Sequence, residues 1–287
     1  MSGGQVLRAL LRDRLALAGI IIVGGFVLLA VFAPWIAPYD PDTIHRVDGR
    51  VARLQPPSSQ FWLGTTNLGR DVFSQVVMGS RIALQVGLLA AAMVTFVGTN
   101  VGLIAGYFGG RIDSFLMRIV DILYGIPFTP FVILLVSLLE PSVWNIIIAV
   151  SLLTWRTVAR ISRAQVLSLA ERPFVKAARV AGASHLRIMY RHILPNILPI
   201  ALLEMSFVVA WAIIAEASVS FIGFGDPRAV SWGKILHSAF IAGAVRTAPW
   251  WVAPPGIAIV LLVLGVYFIT RGLESVVNPR LRGLRGE

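Results

Sequence analysis

The chain has 287 residues, 57% hydrophobic and 14% charged, with a mean hydropathy of +0.80. A soluble domain is nearer half apolar and a quarter charged, so a single water-facing core is excluded, and so is intrinsic disorder. The net charge of +11 is almost all Arg, with Lys only at 176 and 234, which in so apolar a chain favours Arg-bearing loops at a membrane face over nucleic-acid binding.

A membrane-spanning helix needs roughly 20 mostly apolar residues. After a cytoplasmic tail, 1–14, the charge-free stretch Leu15–Tyr39 supplies the first helix, placed at 15–38. It is too long for a signal-peptide core and lacks a small-x-small cleavage site, so it reads as an uncleaved anchor. An external segment, 39–81, follows. The core, 82–272, supplies five more spans: Ile82–Gly110, Phe115–Leu139, Val143–Ser162, Asn196–Phe221 and Thr247–Thr270. In the second of these five, Asp121 is followed by Pro127 and Pro130, which predict a kink. The third must run past Arg156 and Arg160. The fourth is interrupted by Glu204 and Glu216. A cytoplasmic loop, 163–195, and an external segment, Ile222–Arg246, separate core spans, and 273–287 forms the C-terminal tail. The fold class is therefore an all-α polytopic membrane protein with six transmembrane helices. Six crossings place both termini on one side. That side carries 17 of the 25 basic residues, which makes it cytoplasmic. No internal repeat, low-complexity tract or second folded domain is visible.

The most informative stretch is cytoplasmic, Glu171 to Pro199. Pro173 suits the first turn of a helix, and Gly182 suits the position just past its end. Between them lie small or apolar Val175, Ala177, Ala178 and Ala181, with basic Lys176 and Arg179. Ser184 suits the cap of a second short helix through Arg191 that includes Arg187. Such a helix admits close approach by another protein and carries a cationic rim. An interfacial helix lying on anionic lipid fits the same pattern.

Taken with Leu194 and Pro195, this stretch resembles the E-A-A-x3-G-x9-I-x-L-P loop of permease subunits of binding-protein-dependent ABC importers, with Lys176 at the Glu position and His192 at the Ile position. Leu63-Gly64-Thr65-Thr66-Asn67-Leu68-Gly69-Arg70-Asp71 resembles the L-G-T-D-x-L-G-R-D segment of the peptide and nickel branch. Tyr107-Phe108-Gly109-Gly110, Met117-Arg118, Asp121-Ile122-Leu123, Glu216 to Gly225, Ser231-Trp232-Gly233 and Asn278 to Arg282 also match that branch, in order. The resemblance implies a type I ABC importer permease fold with a cytoplasmic coupling helix at Pro173–Gly182, seated in a groove of an ATPase subunit. It implies a multi-pass protein of the bacterial inner membrane. Its partners would be a homologous second permease, two cytoplasmic ATPase subunits that bind ATP and Mg, and an external solute-binding protein. The branch handles peptides, nickel chelates and some oligosaccharides, with peptide the leading substrate class.

Outside that loop, Gly64 and Gly69 permit tight turns, while Arg70 and Asp71 suit pairing or capping of the helix that follows. Contact with a substrate-delivery protein is the alternative role. Glu204 and Glu216 stand twelve residues apart, near 120° of helix rotation, so they do not share a face. Carboxylates at membrane depth are functional candidates. Glu216, beside Phe221, Gly223 and Gly225, suits structural pairing or an outer gate. Glu204 and Asp121 are pathway candidates, with core packing the alternative for Asp121. The four histidines do not converge in sequence as a zinc site requires, so no metal is expected. No phosphate-binding G-x-x-x-x-G-K-[ST] loop is present. The chain is therefore read as a non-enzymatic transport subunit whose ATP hydrolysis belongs to partners. A stand-alone secondary transporter is the weaker alternative, since such proteins often show inverted repeats.

Overall fold

The computed structural model describes residues 10–277, with side chains through Glu274; the Asn278–Arg282 run lies outside them. Helix α1 (Arg14–Val31) starts at Asp13, whose carboxylate accepts the amides of Leu15 at 2.9 Å and Ala16 at 3.2 Å. The segment predicted to be external carries a two-stranded antiparallel hairpin, β1 (Arg46–Val47) and β2 (Arg50–Val51). Asp48 and Gly49 make its turn with φ of 50° and 76°, the combination of a type I′ turn. Helix α2 (Val72–Phe108) has 37 residues, about 55 Å at 1.5 Å per residue. That is nearly twice the hydrocarbon thickness of a bilayer.

Helices α3 (Gly110–Tyr124) and α4 (Phe128–Leu138) form a pair bent by 87°. Pro127 stands at the N-cap of α4, so the kink anticipated from the prolines is a complete break. Helix α5 (Val143–Ala170) is capped by Ser142, and α6 (Pro173–Val180) follows one turn later. The second short helix expected from Ser184 through Arg191 is shorter. One turn, His185–Arg187, passes into a π-helical stretch, Ile188–Ile193, that continues into α7 (Leu194–Val219). A second π-helical stretch, Ser220–Phe224, ends that run, and α8 (Trp232–Ile241) and α9 (Pro249–Val277) complete the fold.

Among the described residues, four continuous helical runs are long and apolar enough to cross a membrane: α1, α2, the run His185–Phe224 built on α7, and α9. The bent α3–α4 pair makes a fifth. The count of six spans is thus not reached on length and apolarity. The missing one is α5, which is long enough but carries Asn145, Arg156 and Arg160. Its packing places it in the same layer as α2. Gly98, Gly102 and Gly106 lie four residues apart on α2, facing Trp155–Val158, Ala159–Ser162 and Arg163–Val166 of α5 in the same order. The two helices therefore run parallel. Small residues at this spacing let helix backbones approach within van der Waals distance, the main source of association in lipid.

Two other pairs, α2 with α7 and α1 with α9, pack antiparallel. Gly87 of α2 faces Val209 and Ile213 of α7, and Gly19 of α1 faces Gly265 and Phe268 of α9. Gly79 receives the Trp232 ring, which is 1% exposed and whose indole N–H donates to the Val76 carbonyl at 2.8 Å. A Cβ on Gly102 would stand 2.5 Å from the Ala159 carbonyl oxygen and 2.6 Å from Ser162 Cβ. Gly102→Ala is therefore expected to destabilise the bundle by about 1–3 kcal/mol. Gly24→Ala, at a helical glycine with open space around it, should leave stability unchanged or raise it. Thermal unfolding of both variants in detergent checks the contrast.

Candidate functional site

The predicted coupling segment is an elbow held by one side and open on the other. Pro173 occupies the first turn of α6, and Val175 is fully buried. Gly182, at φ +78°, closes the helix. Its N–H donates to Arg179 O at 3.1 Å and the Ala183 N–H donates to Ala178 O at 3.0 Å. These paired bonds form a Schellman cap, whose left-handed residue favours glycine. Val175 and Ala178 anchor α6 on an apolar cluster with Leu103 and Tyr107 of α2, Val166 of α5, and Ile188, Met189 and Ile193. Leu194 packs against the same cluster, while Pro195 is exposed in the first turn of α7.

The opposite face of the elbow is bare. Val180 is 90% exposed and Leu186 66% exposed, and Phe174, Ala177 and Ala181 are exposed beside them. Arg172, Lys176, Arg179 and Arg187 rim this apolar patch. Lys176 is engaged within its own chain, donating to Glu171 at 2.9 Å. That contact holds the Glu171 carboxyl below the usual carboxylate range. Tyr107 stands in a family-like motif and His185 among the four histidines, but their contact was not predicted. The Tyr107 hydroxyl lies 2.8 Å from His185 Nδ1, and the Arg179 guanidinium stands 5.8 Å from the centre of the Tyr107 ring. The last turn of α2 is thereby tied to the elbow.

At the other end of α2, Asp71 is the N-cap. Its carboxylate accepts the Ser74 amide at 2.7 Å and the Ser74 hydroxyl at 2.6 Å, with 1% of the residue exposed. Arg70 pairs with Asp42 at 3.0 Å rather than with Asp71. Gly64 and Gly69 have φ of +67° and +76°, and a Cβ on Gly64 would strike Gln55 O and the Trp250 ring. This knot meets α8 around a small cavity of about 40 Å³, lined by Asp42, Asn67, Arg70, Ser231 and Lys234 among others. Burial pushes the Lys234 ammonium below its ordinary pKa, against the attraction of Asp42.

Glu216 is 3% exposed and accepts the Ser220 hydroxyl at 2.6 Å. Its own chain encloses it. Gly223, at φ +104°, lies against His237, and His237 Nδ1–H donates to the Phe221 carbonyl at 2.7 Å. Gly225 packs on Ser220, where a Cβ would come within 2.5 Å of the hydroxyl. The external candidates are therefore contiguous, joined through Ser220, Ser231 and α8.

The two pathway candidates are separate. Asp121 is exposed and pairs with Arg160 at 2.6 Å. Glu204 lines a different space, a cavity of about 280 Å³ that it shares with Arg156, Phe128, Phe207 and Trp211. The structure thus gathers the candidates at three places: the elbow, the outer knot and a cavity in the helical layer.

The family model described as the binding-protein-dependent transport system inner membrane component matches residues 98–283. A second model, the N-terminal TM domain of oligopeptide transport permease C, matches residues 3–57. The chain is 36% identical to the dipeptide transport system permease DppC of Alkalihalophilus pseudofirmus, over 97% of this chain and 90% of the relative. It is also 36% identical to the oligopeptide transport system permease OppC of Bacillus subtilis, over 94% and 87%. Among solved structures, a chain of the MetNI methionine ABC transporter in an inward-facing conformation aligns with a TM-score of 0.55 at 20% identity. That alignment covers 71% of this chain and 95% of the other, and it shows the shared fold.

Removing the Tyr107 hydroxyl tests the tie between α2 and the elbow. Tyr107→Phe is expected to cost about 0.5–1.5 kcal/mol, the net worth of one hydrogen bond. It should also raise amide exchange in residues 183–188 without changing exchange near Asp71. Hydrogen–deuterium exchange with mass spectrometry reads both. Uniform change along α2, or none, would count against a local tie.

Proposed function

From the premise that this chain belongs to the binding-protein-dependent transport system inner membrane components, and is an ABC importer permease subunit of the inner membrane, we propose that it forms half of a pathway for peptides. A homologous permease supplies the other half. Two cytoplasmic ATPase subunits bind ATP and Mg and drive the cycle, and an external solute-binding protein delivers the peptide. Both termini of the chain lie in the cytoplasm. The observation that carries this reading is the elbow: a short helix buried by Val175 and Ala178, with an apolar, Arg-rimmed face left uncovered. An exposed Val180 and Leu186 flanked by arginines suit a protein groove that offers both apolar contact and acidic groups. The peptide assignment is supported by the names of the relatives.

The proposed cycle is a two-state rigid-body switch. Closure of the ATPase pair on ATP draws the two elbows together, and the bundles rock to accept solute from outside. Hydrolysis restores the inward-facing state. The anchoring of α6 on α2, α5 and the Ile188–Ile193 turn gives the pull a route into the helical layer. Lys176, where the family pattern has Glu, is held by Glu171, so groove contact falls to Arg172, Arg179, Arg187 and the apolar patch.

Gly182→Val forces a β-branched residue into a left-handed conformation. It is expected to abolish peptide uptake and the ATPase stimulation caused by loaded binding protein, while the chain still inserts in the membrane. Uptake and phosphate release in proteoliposomes measure this, and wild-type coupling in the variant would remove the elbow from the mechanism. Affinity purification of the tagged chain should recover a second permease and ATPase subunits by mass spectrometry. Recovery of the chain alone would contradict the assembly.

A further inference from the structure

The cavity between α4, α5 and α7 has a chemical character that the transport assignment does not specify. It is an open-sided hollow of about 280 Å³, lined by Phe128, Thr154, Arg156, Glu204, Phe207 and Trp211, among others. Glu204 presents a carboxylate there, and among the described residues no hydrogen bond or ion pair engages it. Nor does it pair with Arg156 across the cavity. A carboxylate within an apolar span is costly and is normally paired. Its neighbour Glu216, on the same helix, is satisfied by Ser220, so the absence of a partner is particular to Glu204.

Arg156 is fixed as Glu204 is not. Its guanidinium donates to the Leu123 carbonyl and stands 4.6 Å from the centre of the Tyr124 ring. A guanidinium carries five N–H donors in a rigid fork, so that bond leaves others free. The cavity therefore offers an unpaired anion and a positioned cation, with an apolar wall that includes Phe128 and Trp211, whose rings lie 5.4 Å apart. Peptides of varied sequence share only their backbone and two oppositely charged termini. A tripeptide spans about 10 Å when extended.

We infer that this cavity is a transit site for the zwitterionic main chain of a peptide, in which Glu204 takes the α-ammonium group and Arg156 the α-carboxylate. Selection is by the charged ends, and the aromatic wall tolerates different side chains. Glu204 is satisfied only while cargo is bound, and the site empties when the ends are released to water. The inference rests on the peptide reading of the proposed function.

The test uses the assembled importer in nanodiscs, with Phe207 replaced by the photo-crosslinking residue p-benzoyl-phenylalanine. Trialanine and N-acetyl-trialanine are supplied in turn, and the adduct is quantified by mass spectrometry. Blocking the terminal ammonium removes one charge-assisted contact, so the free peptide should label about tenfold more than the acetylated one. Glu204→Gln should abolish that difference, and Glu204→Asp should retain part of it. Because the readout is a ratio within each variant, a variant that assembles poorly changes its total labelling but not the ratio. Equal labelling by both peptides in the parent protein, or a difference that survives Glu204→Gln, overturns the inference. Binding-protein-driven trialanine uptake into proteoliposomes is measured alongside. If the parent importer takes up trialanine but shows no terminal preference in the cavity, the transit site falls and the peptide function stands. If a peptide library yields no uptake at all, the peptide reading falls and takes this inference with it.

Discussion

Contact between the backbones of α2 and α5 sets the geometry on which the rest of this membrane protein depends. Gly98, Gly102 and Gly106 present a side-chain-free ridge to Trp155, Ala159 and Arg163 and the turns that follow them. In lipid there is no hydrophobic gain from pressing two apolar helices together, so close approach and dispersion must hold them. The seam also brings a helix with three arginines and an asparagine alongside the long apolar α2. Arg156 and Arg160 then find partners on α3 and its C-terminal end. Arg160 pairs with Asp121, Arg156 and Arg160 both stack on Tyr124, and Arg163 forms a two-pronged pair with Asp113. The α3–α4 pair is thus held against α5 by charge, while α5 is held against α2 by shape.

The same helix joins the two ends of the molecule. Asp71 caps α2 beneath the outer knot, and Tyr107 closes it against the elbow. The two contacts stand at opposite ends of one uninterrupted helix of about 55 Å. The soft points lie elsewhere. They are the 87° break before Pro127, the π-helical turn Ile188–Ile193 and the π-helical turn containing Gly223. Departures from α-helical bonding of this kind are common at functional positions. The two π-helical turns flank α7, the helix that bears both Glu204 and Glu216.

Those two glutamates show how far environment separates like residues. Glu216 is enclosed, bonded to Ser220, and adjacent to the glycine-rich turn, so it serves as an internal strut at the outer end. Glu204 faces a cavity that Arg156 also lines. A helix that carries one carboxylate inward and one toward open space does so because the residues are about 120° apart around its axis.

Much of this was legible in the order of residues. Composition excluded a soluble fold. Charge-free runs located α1, α2 and α9. Pro173 and Gly182 bounded the coupling helix, and both stand at its ends in the structure. Asp71 read as a cap and is one. Those features depend on local chemistry: helix ends, glycine conformations and continuous apolarity are each decided within a few residues. The type I′ hairpin at Asp48-Gly49 and the four-residue repeat of Gly98, Gly102 and Gly106 were also present as local signals, though the reading passed over both. What the sequence could not decide was which distant side chains meet. Only the tertiary structure joined Tyr107 to His185, gave Arg70 to Asp42, enclosed Glu216 and left Glu204 unpaired beside Arg156. A residue's own chemistry is carried by its neighbours along the chain, but whether a charge is satisfied depends on helices brought together from far apart.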